Sequence, residues 1–154
     1  MIPPAMLDIQ SHHYVLDMCA APGSKTTQML EICGQSDASN PNGSQEPLGF
    51  VVANDSDQKR AFMLTHQVKR LNSPAILITN HYGQEFPMPR EYRNKGNGTE
   101  GVFDRVLCDV PCTGDGTIRK NVTAWCRWAA GPSISIHQTQ LLIALRGAKL
   151  CKVG

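Results

Sequence analysis

The chain has 154 residues and a formal net charge of +2, with 41% hydrophobic and 18% charged residues. That is enough for one domain with a true core and too little for two, in proportions typical of a soluble globular protein. So small a charge neither demands nor forbids a nucleic-acid partner, no apolar run approaches the roughly 20 residues that cross a bilayer, and no signal-peptide pattern opens the chain.

Val15-Leu16-Asp17-Met18 begins an apolar run that breaks at Pro22-Gly23 and passes into a helix-forming segment, Lys25 to Cys33, with Gly34 as its stop. This reads as first strand, tight loop and helix start. Small residues at Ala20, Ala21 and Gly23 let a ligand approach the main chain, and free N–H groups at the helix start can bind its polar end. Gly23-Ser24-Lys25-Thr26 looks like the tail of a P-loop, but that motif needs glycines where Ser24 and Met18 stand; G-x-G-x-x-G is missing as well. A one-glycine loop suits a small nucleoside ligand without a pyrophosphate, the plainer alternative being an ordinary strand–helix turn.

Gln35 to Pro47 is a polar run rich in Ser, Asn, Gly and Pro, expected as a flexible insert. Phe50 to Asp55 then forms a second strand ending in an acid, and Ser56 or Asp57 can cap a helix whose Ala61, Leu64, Val68 and Leu71 share one face. With the insert set aside, Asp55 follows Gly23 by 18 residues, near the offset of about 20 at which an acid accepts hydrogen bonds from ribose hydroxyls. Asp55 is therefore the expected ribose ligand, with a helix-capping aspartate as the alternative.

Ser73-Pro74 ends that helix, Ala75 to Thr79 is expected as a third buried strand, and 83–101 reads as an irregular surface excursion. Phe103 to Asp109 makes a fourth strand ending in an acid, and Ser133 to Leu150 a helix with Ile134, Leu141, Leu145 and Ala148 on its inner face. Parallel strands joined by helices imply a doubly wound α/β sheet whose ligands gather at the carboxyl ends of the strands, where Met18–Lys25, Asp55, Tyr82 and Asp109–Thr113 belong.

Asp109-Val110-Pro111-Cys112 sets a thiol beside an acid at the same edge. Such a pair is apt for cytosine methylation: carbon 5 of cytosine is a poor nucleophile until a thiolate adds to carbon 6, and an acid can stabilise the ring protonated at nitrogen 3. A loop cysteine without chemistry is the alternative. The remaining cysteines, Cys19, Cys33, Cys108, Cys126 and Cys151, form no C-x-x-C with it or each other, which favours a reduced intracellular protein over a zinc site or disulfide scaffold.

Asp17-Met18-Cys19-Ala20-Ala21-Pro22-Gly23-Ser24-Lys25-Thr26, Ala53-Asn54-Asp55 with Lys59-Arg60, Thr79-Asn80-His81, and Asp109-Val110-Pro111-Cys112 through Arg119-Lys120-Asn121 occur in that order. These blocks resemble the RsmB/NOP/Sun-type RNA (cytosine-5)-methyltransferases, most closely their eukaryotic tRNA branch. The resemblance implies a Rossmann-like, mostly parallel sheet of the S-adenosylmethionine-dependent type, cut after about four strands. Residues 1–154 would then be part of a catalytic domain. It implies S-adenosylmethionine bound by Cys19, Ala20, Ala21, Pro22, Gly23, Ser24 and Lys25, with Asp55 on the ribose and Asp109 near both the methyl donor and the target base. Cys112 would assist product release or, as in DNA cytosine methyltransferases, attack the base itself. Arg119 and Lys120 would lie near the path of an RNA, by family a tRNA, unless they are only a solvated basic pair. No metal or membrane is implied, and a nuclear or nucleolar location is a family expectation. Two departures stand out. Tyr82 replaces the acid that commonly follows Asn80-His81 and reads the adenine, and the family's nucleophilic Thr-Cys pair is missing, as though the chain stops one strand short of it. The implied activity is RNA cytosine-5 methylation by the complete enzyme, with these residues alone inactive; the alternative is a non-catalytic cofactor- or RNA-binding product.

Overall fold

The structure is a computed structural model, and it describes residues 1–34, 48–88 and 101–153. The polar insert at 35–47 and the later part of the expected excursion, 89–100, lie outside the described residues.

Four strands form one sheet: β1 (Tyr14–Asp17), β2 (Phe50–Asn54), β3 (Ile76–Thr79) and β4 (Arg105–Leu107), in the order β3-β2-β1-β4. Every pairing is parallel, with Leu16 opposite Val52 on one side and Val106 on the other. Side chains alternate across the sheet, so β1, β2 and β4 each feed two cores. Val15, Val51 and Leu107 meet Met29, Leu30 and Cys33 of α2 (Ser24–Cys33), while Ala53 meets Leu64 and Val68 of α3 (Gln58–Lys69) on the same side. Leu16 and Val52 face the opposite side, toward Ile143 and Leu150 of the long last helix. Helices on both faces make the sheet doubly wound, as the alternating pattern implies. A short helix α1 (Ile2–Met6) precedes β1, and α4 (Val122–Cys126) precedes α5 (Ala130–Leu150).

Four expectations need correction. The inner face of α5 carries Ile143, Gly147 and Leu150, whereas Ile134 is 75% exposed and Leu141, Leu145 and Ala148 also face outward. The reason is close packing at Gly147: a methyl group there would lie 2.6 Å from Sγ of Cys108 and 3.0 Å from Sδ of Met18, so the helix seats on its small residue. Second, β3 is an edge strand rather than a fully buried one. Ile76 and Ile78 pack against the α3 core, but Leu77 on the other face is 50% exposed because α5 covers β1 and β4 and does not reach it. Third, 83–88 opens with core and not surface. A 3-10 turn, Gly83–Glu85, delivers Phe86 into the α5 core against the ring of Phe103, and the Arg146 guanidinium donates two hydrogen bonds to the Phe86 carbonyl. Leu71, expected on the α3 face, lies just past that helix and packs half-buried against the α2 core.

Candidate active site

The carboxyl ends of all four strands converge on one edge, and a fully buried amide ties three of them together. Asn54, the last residue of β2, donates from Nδ2 to the carbonyls of Met18 (3.1 Å) and His81 (2.9 Å). Its Oδ1 accepts from the Thr79 hydroxyl (3.0 Å) and the His81 N–H (2.9 Å). Both donors and both acceptor positions of the amide are thereby used, the condition under which a buried polar group specifies structure rather than weakening it.

The loop after β1 is built for close approach. Gly23 caps α2 in the left-handed region at φ 108, and a methyl group there would lie 2.6 Å from Cδ1 of Leu64, so only glycine fits. Asp55 reaches across from β2 to hold this loop. One of its carboxylate oxygens accepts the Ala21 N–H (3.1 Å) and the other the Asp57 N–H (3.0 Å). The Arg60 guanidinium pairs with Asp55 at 3.4 Å and donates to the Ala21 carbonyl at 2.5 Å. The cap of α3 falls to Asp57, whose side chain accepts the Arg60 N–H, so Asp55 is left to the loop and the cleft.

Asp17 is buried beneath the loop. Its Oδ2 accepts the Thr26 hydroxyl (2.7 Å), and its Oδ1 has no hydrogen-bond partner among the described residues. Burial pushes its carboxyl up to about 6, against the pull of the Thr26 hydrogen bond. A raised native value stabilises the fold at low pH and loses that benefit as pH rises through it, so the Asp17 share of stability falls between about pH 4 and pH 6, by about 3 kcal/mol in all. Urea unfolding of wild type against Asp17→Asn across that window should show wild type losing stability relative to the variant as pH rises; a constant difference would exclude a buried, titrating Asp17.

Cys19 stands in the same surroundings. Burial first, then the carboxylates of Asp17 and Asp55, push its thiol up to about 12, so it is a neutral wall of the site and not a nucleophile at neutral pH. Lys25, from the first turn of α2, pairs with Asp109 past the end of β4 at 2.5 Å, joining the two loops that flank the site.

These groups border a cleft of about 560 Å³, lined among others by Met18, Asp55, Tyr82, Asp109, Cys112 and Ile143. A smaller adjoining cavity of about 90 Å³ lies among Asp17, Cys19, Pro22, Ser24, Lys25 and Asp109. A groove of about 490 Å³ beside β3 is lined by groups such as Thr65, Lys69 and Ser73 and brings no acid or thiol, so the chemistry gathers at the first cleft. The structure thus brings together the loop residues Cys19 to Lys25, Asp55, Asp109, Tyr82 and Cys112. Arg119 and Lys120 stay outside the lining, on the exposed stretch that follows a second 3-10 turn, Asp115–Thr117. Asn54, Thr26 and Asp17, which hold the site from beneath, have no role legible in the sequence: their types stand inside the motifs, but the hydrogen bonds span 9 to 36 residues of sequence. Among the described residues no three His, Cys, Asp or Glu side chains are placed to hold a metal, and no helix is long and apolar enough to cross a membrane.

A parallel doubly wound sheet with an acid-lined cleft at its carboxyl edge defines the class: a Rossmann-like α/β domain. The family model described as 16S rRNA methyltransferase RsmB/F matches residues 4–153, and the chain belongs to that family of RNA methyltransferases. It is 50% identical over 153 residues to the multisite-specific tRNA:(cytosine-C(5))-methyltransferase of Saccharomyces cerevisiae, covering 99% of this chain and 21% of the relative. To the tRNA (cytosine(34)-C(5))-methyltransferase of Drosophila melanogaster it is 47% identical over 156 residues, covering 100% of this chain and 20% of that protein. Among solved structures, that of PH0851 superposes with a TM-score of 0.79 at 29% identity, over 99% of this chain and 30% of the other. The chain spans about a fifth of the length of these curated relatives.

Proposed function

We propose that this chain is the methyl-donor-binding portion of an RNA cytosine-5 methyltransferase that acts on tRNA. The observation that carries the reading is the convergence of Asp17, Asp55 and Asp109 on one cleft edge beside a glycine-capped helix start. S-adenosylmethionine, when bound, supplies an electrophilic methyl group on a positively charged sulfur. The residues present suit it. Asp17, Asp55 and Asp109 outnumber the two cations paired with them, Arg60 and Lys25, which favours a cationic ligand; the free N–H groups opening α2 suit its carboxylate, and Asp55 keeps acceptor capacity for ribose hydroxyls beyond the two N–H groups it already serves. Cys19 to Lys25 would bind the donor, with Tyr82 at the cleft rim offering a phenol where the family commonly has an acid. Asp109, held by Lys25, lines the same cleft as Cys112 and would face the target base. Cys112 would then assist release of the methylated base, while the Thr-Cys nucleophile expected of the family is not in these 154 residues.

Transfer of a tritiated methyl group to unmodified tRNA tests this. The expected result is donor binding without turnover by the 154 residues alone; robust turnover overturns their inactivity. RNA containing 5-fluorocytosine separates the other enzymatic reading, because a covalent adduct mapped to Cys112 makes that thiol the nucleophile.

A further inference from the structure

The last quarter of the chain differs sharply in charge from the rest. Residues 116–154 contain six Lys and Arg and no Asp or Glu, whereas residues 1–115 contain nine against thirteen. Arg146 donates to the Phe86 carbonyl and Lys152 pairs with Asp104, but Arg119, Lys120 and Arg127 are exposed and form no ion pair among the described residues. Beside them in sequence stand the only two tryptophans in the chain, Trp125 at 71% exposure and Trp128 at 59%. Neither ring stacks on another aromatic or beneath a cation among the described residues. Large apolar rings left bare beside unpaired cations need an occupant that is both flat and anionic.

This stretch is also joined to the cleft at both ends. It leaves the cleft wall at Cys112 and rejoins it at Thr139, and Gln140 of α5 donates to the Pro111 carbonyl at 2.9 Å. Asn121 caps α4 by accepting the Ala124 N–H, which fixes the turn from which Trp125 projects. We propose that Trp125 and Trp128, flanked by Arg119, Lys120 and Arg127, form a stacking platform for unpaired RNA bases beside the cleft. Resting on the RNA-methyltransferase reading above, this platform names the surface that meets the nucleotides next to the target cytosine. Aromatic faces take any base and the cations take the phosphates, so the platform selects single strands over duplex and carries little sequence preference.

Because the chain has no other tryptophan, its intrinsic fluorescence reports on this surface directly. Titrating the 154-residue protein with a short single-stranded oligocytidylate should quench the emission saturably, and a duplex RNA of equal length should bind weakly with little quenching. Each ring replaced by alanine should weaken binding roughly tenfold, while Trp125→Phe and Trp128→Phe, which keep a stacking face, should retain most of it. Replacing Arg119, Lys120 and Arg127 together should flatten the salt dependence. Oligonucleotide binding that leaves the emission unchanged, or alanine variants that bind like wild type, overturns the platform. So does emission that shifts to the blue with protein concentration alone as sedimentation shows dimers, since the rings then serve a second copy of the chain. S-adenosylmethionine binding measured calorimetrically on the same sample keeps the two readings apart: donor binding with silent tryptophans removes only the platform, and quenching without donor binding removes only the donor site.

Discussion

Replacing Asp55 should cost this protein both its donor site and part of its stability. In Asp55→Ala the buried N–H of Ala21 and the part-buried N–H of Asp57 lose their acceptor and Arg60 loses its counter-ion. A buried donor left unpaired costs about 1–3 kcal/mol, so a loss of about 2–3 kcal/mol is expected, most of it at Ala21, with Asp57 open to water and the half-exposed Arg60 adding little. Asp55→Asn separates the two roles. It preserves shape and one acceptor oxygen, so unfolding should shift by only about 1–2 kcal/mol, whereas donor affinity should fall at least roughly tenfold because the charged acceptor is gone. Chemical denaturation and calorimetry on the two variants check this; an Asp55→Asn protein with wild-type donor affinity would assign the carboxylate to the loop alone.

The second large effect is expected at Asn54. Its amide serves Met18, Thr79 and His81 at once, so truncation unties the ends of β1, β2 and β3 together. Asn54→Leu, close in volume, should lower stability by about 3 kcal/mol, the cost of orphaning the Met18 and His81 carbonyls, the His81 N–H and the Thr79 hydroxyl. Asn54→Asp is the sharper variant. It keeps the acceptor toward the His81 N–H but turns a carboxylate oxygen on the Met18 and His81 carbonyls, where a donor is required. It should be at least as damaging at neutral pH and recover partly in acid, as protonation restores one donor. Urea unfolding at about pH 5 and pH 8 gives the comparison; an Asn54→Asp protein as stable as wild type at both would remove the amide from the architecture.

Much of this arrangement was readable from the chain. Apolar runs ending in Asp17, Asn54-Asp55 and Cys108-Asp109 marked the strands, and Pro22-Gly23 marked the turn whose geometry only Gly23 allows. What could not be read was decided by packing across long sequence separations. On α5 a helical period fits the stripe through Ile134, Leu141 and Leu145 as well as the one through Ile143, Gly147 and Leu150, and hydrophobicity alone prefers the first. The sheet takes the second because Gly147 lets the helix backbone come down onto Met18 and Cys108. In the same way Ile76 to Thr79 has the composition of an interior strand, yet its position at the end of the sheet order exposes Leu77, and strand order is not written in any one segment. Phe86, placed among prolines, looked like loop and proved to be core because Arg146, 60 residues on, holds its carbonyl.

The most direct test of the donor site is a calorimetric titration of the folded 154-residue chain with S-adenosylmethionine, read beside its thermal unfolding. The expected result is saturable binding of one donor per chain, a rise in the unfolding temperature with donor concentration, and a weakening of both, at least roughly tenfold in affinity, in Asp55→Asn. A cooperatively folded chain that gives neither heat nor stabilisation would contradict it.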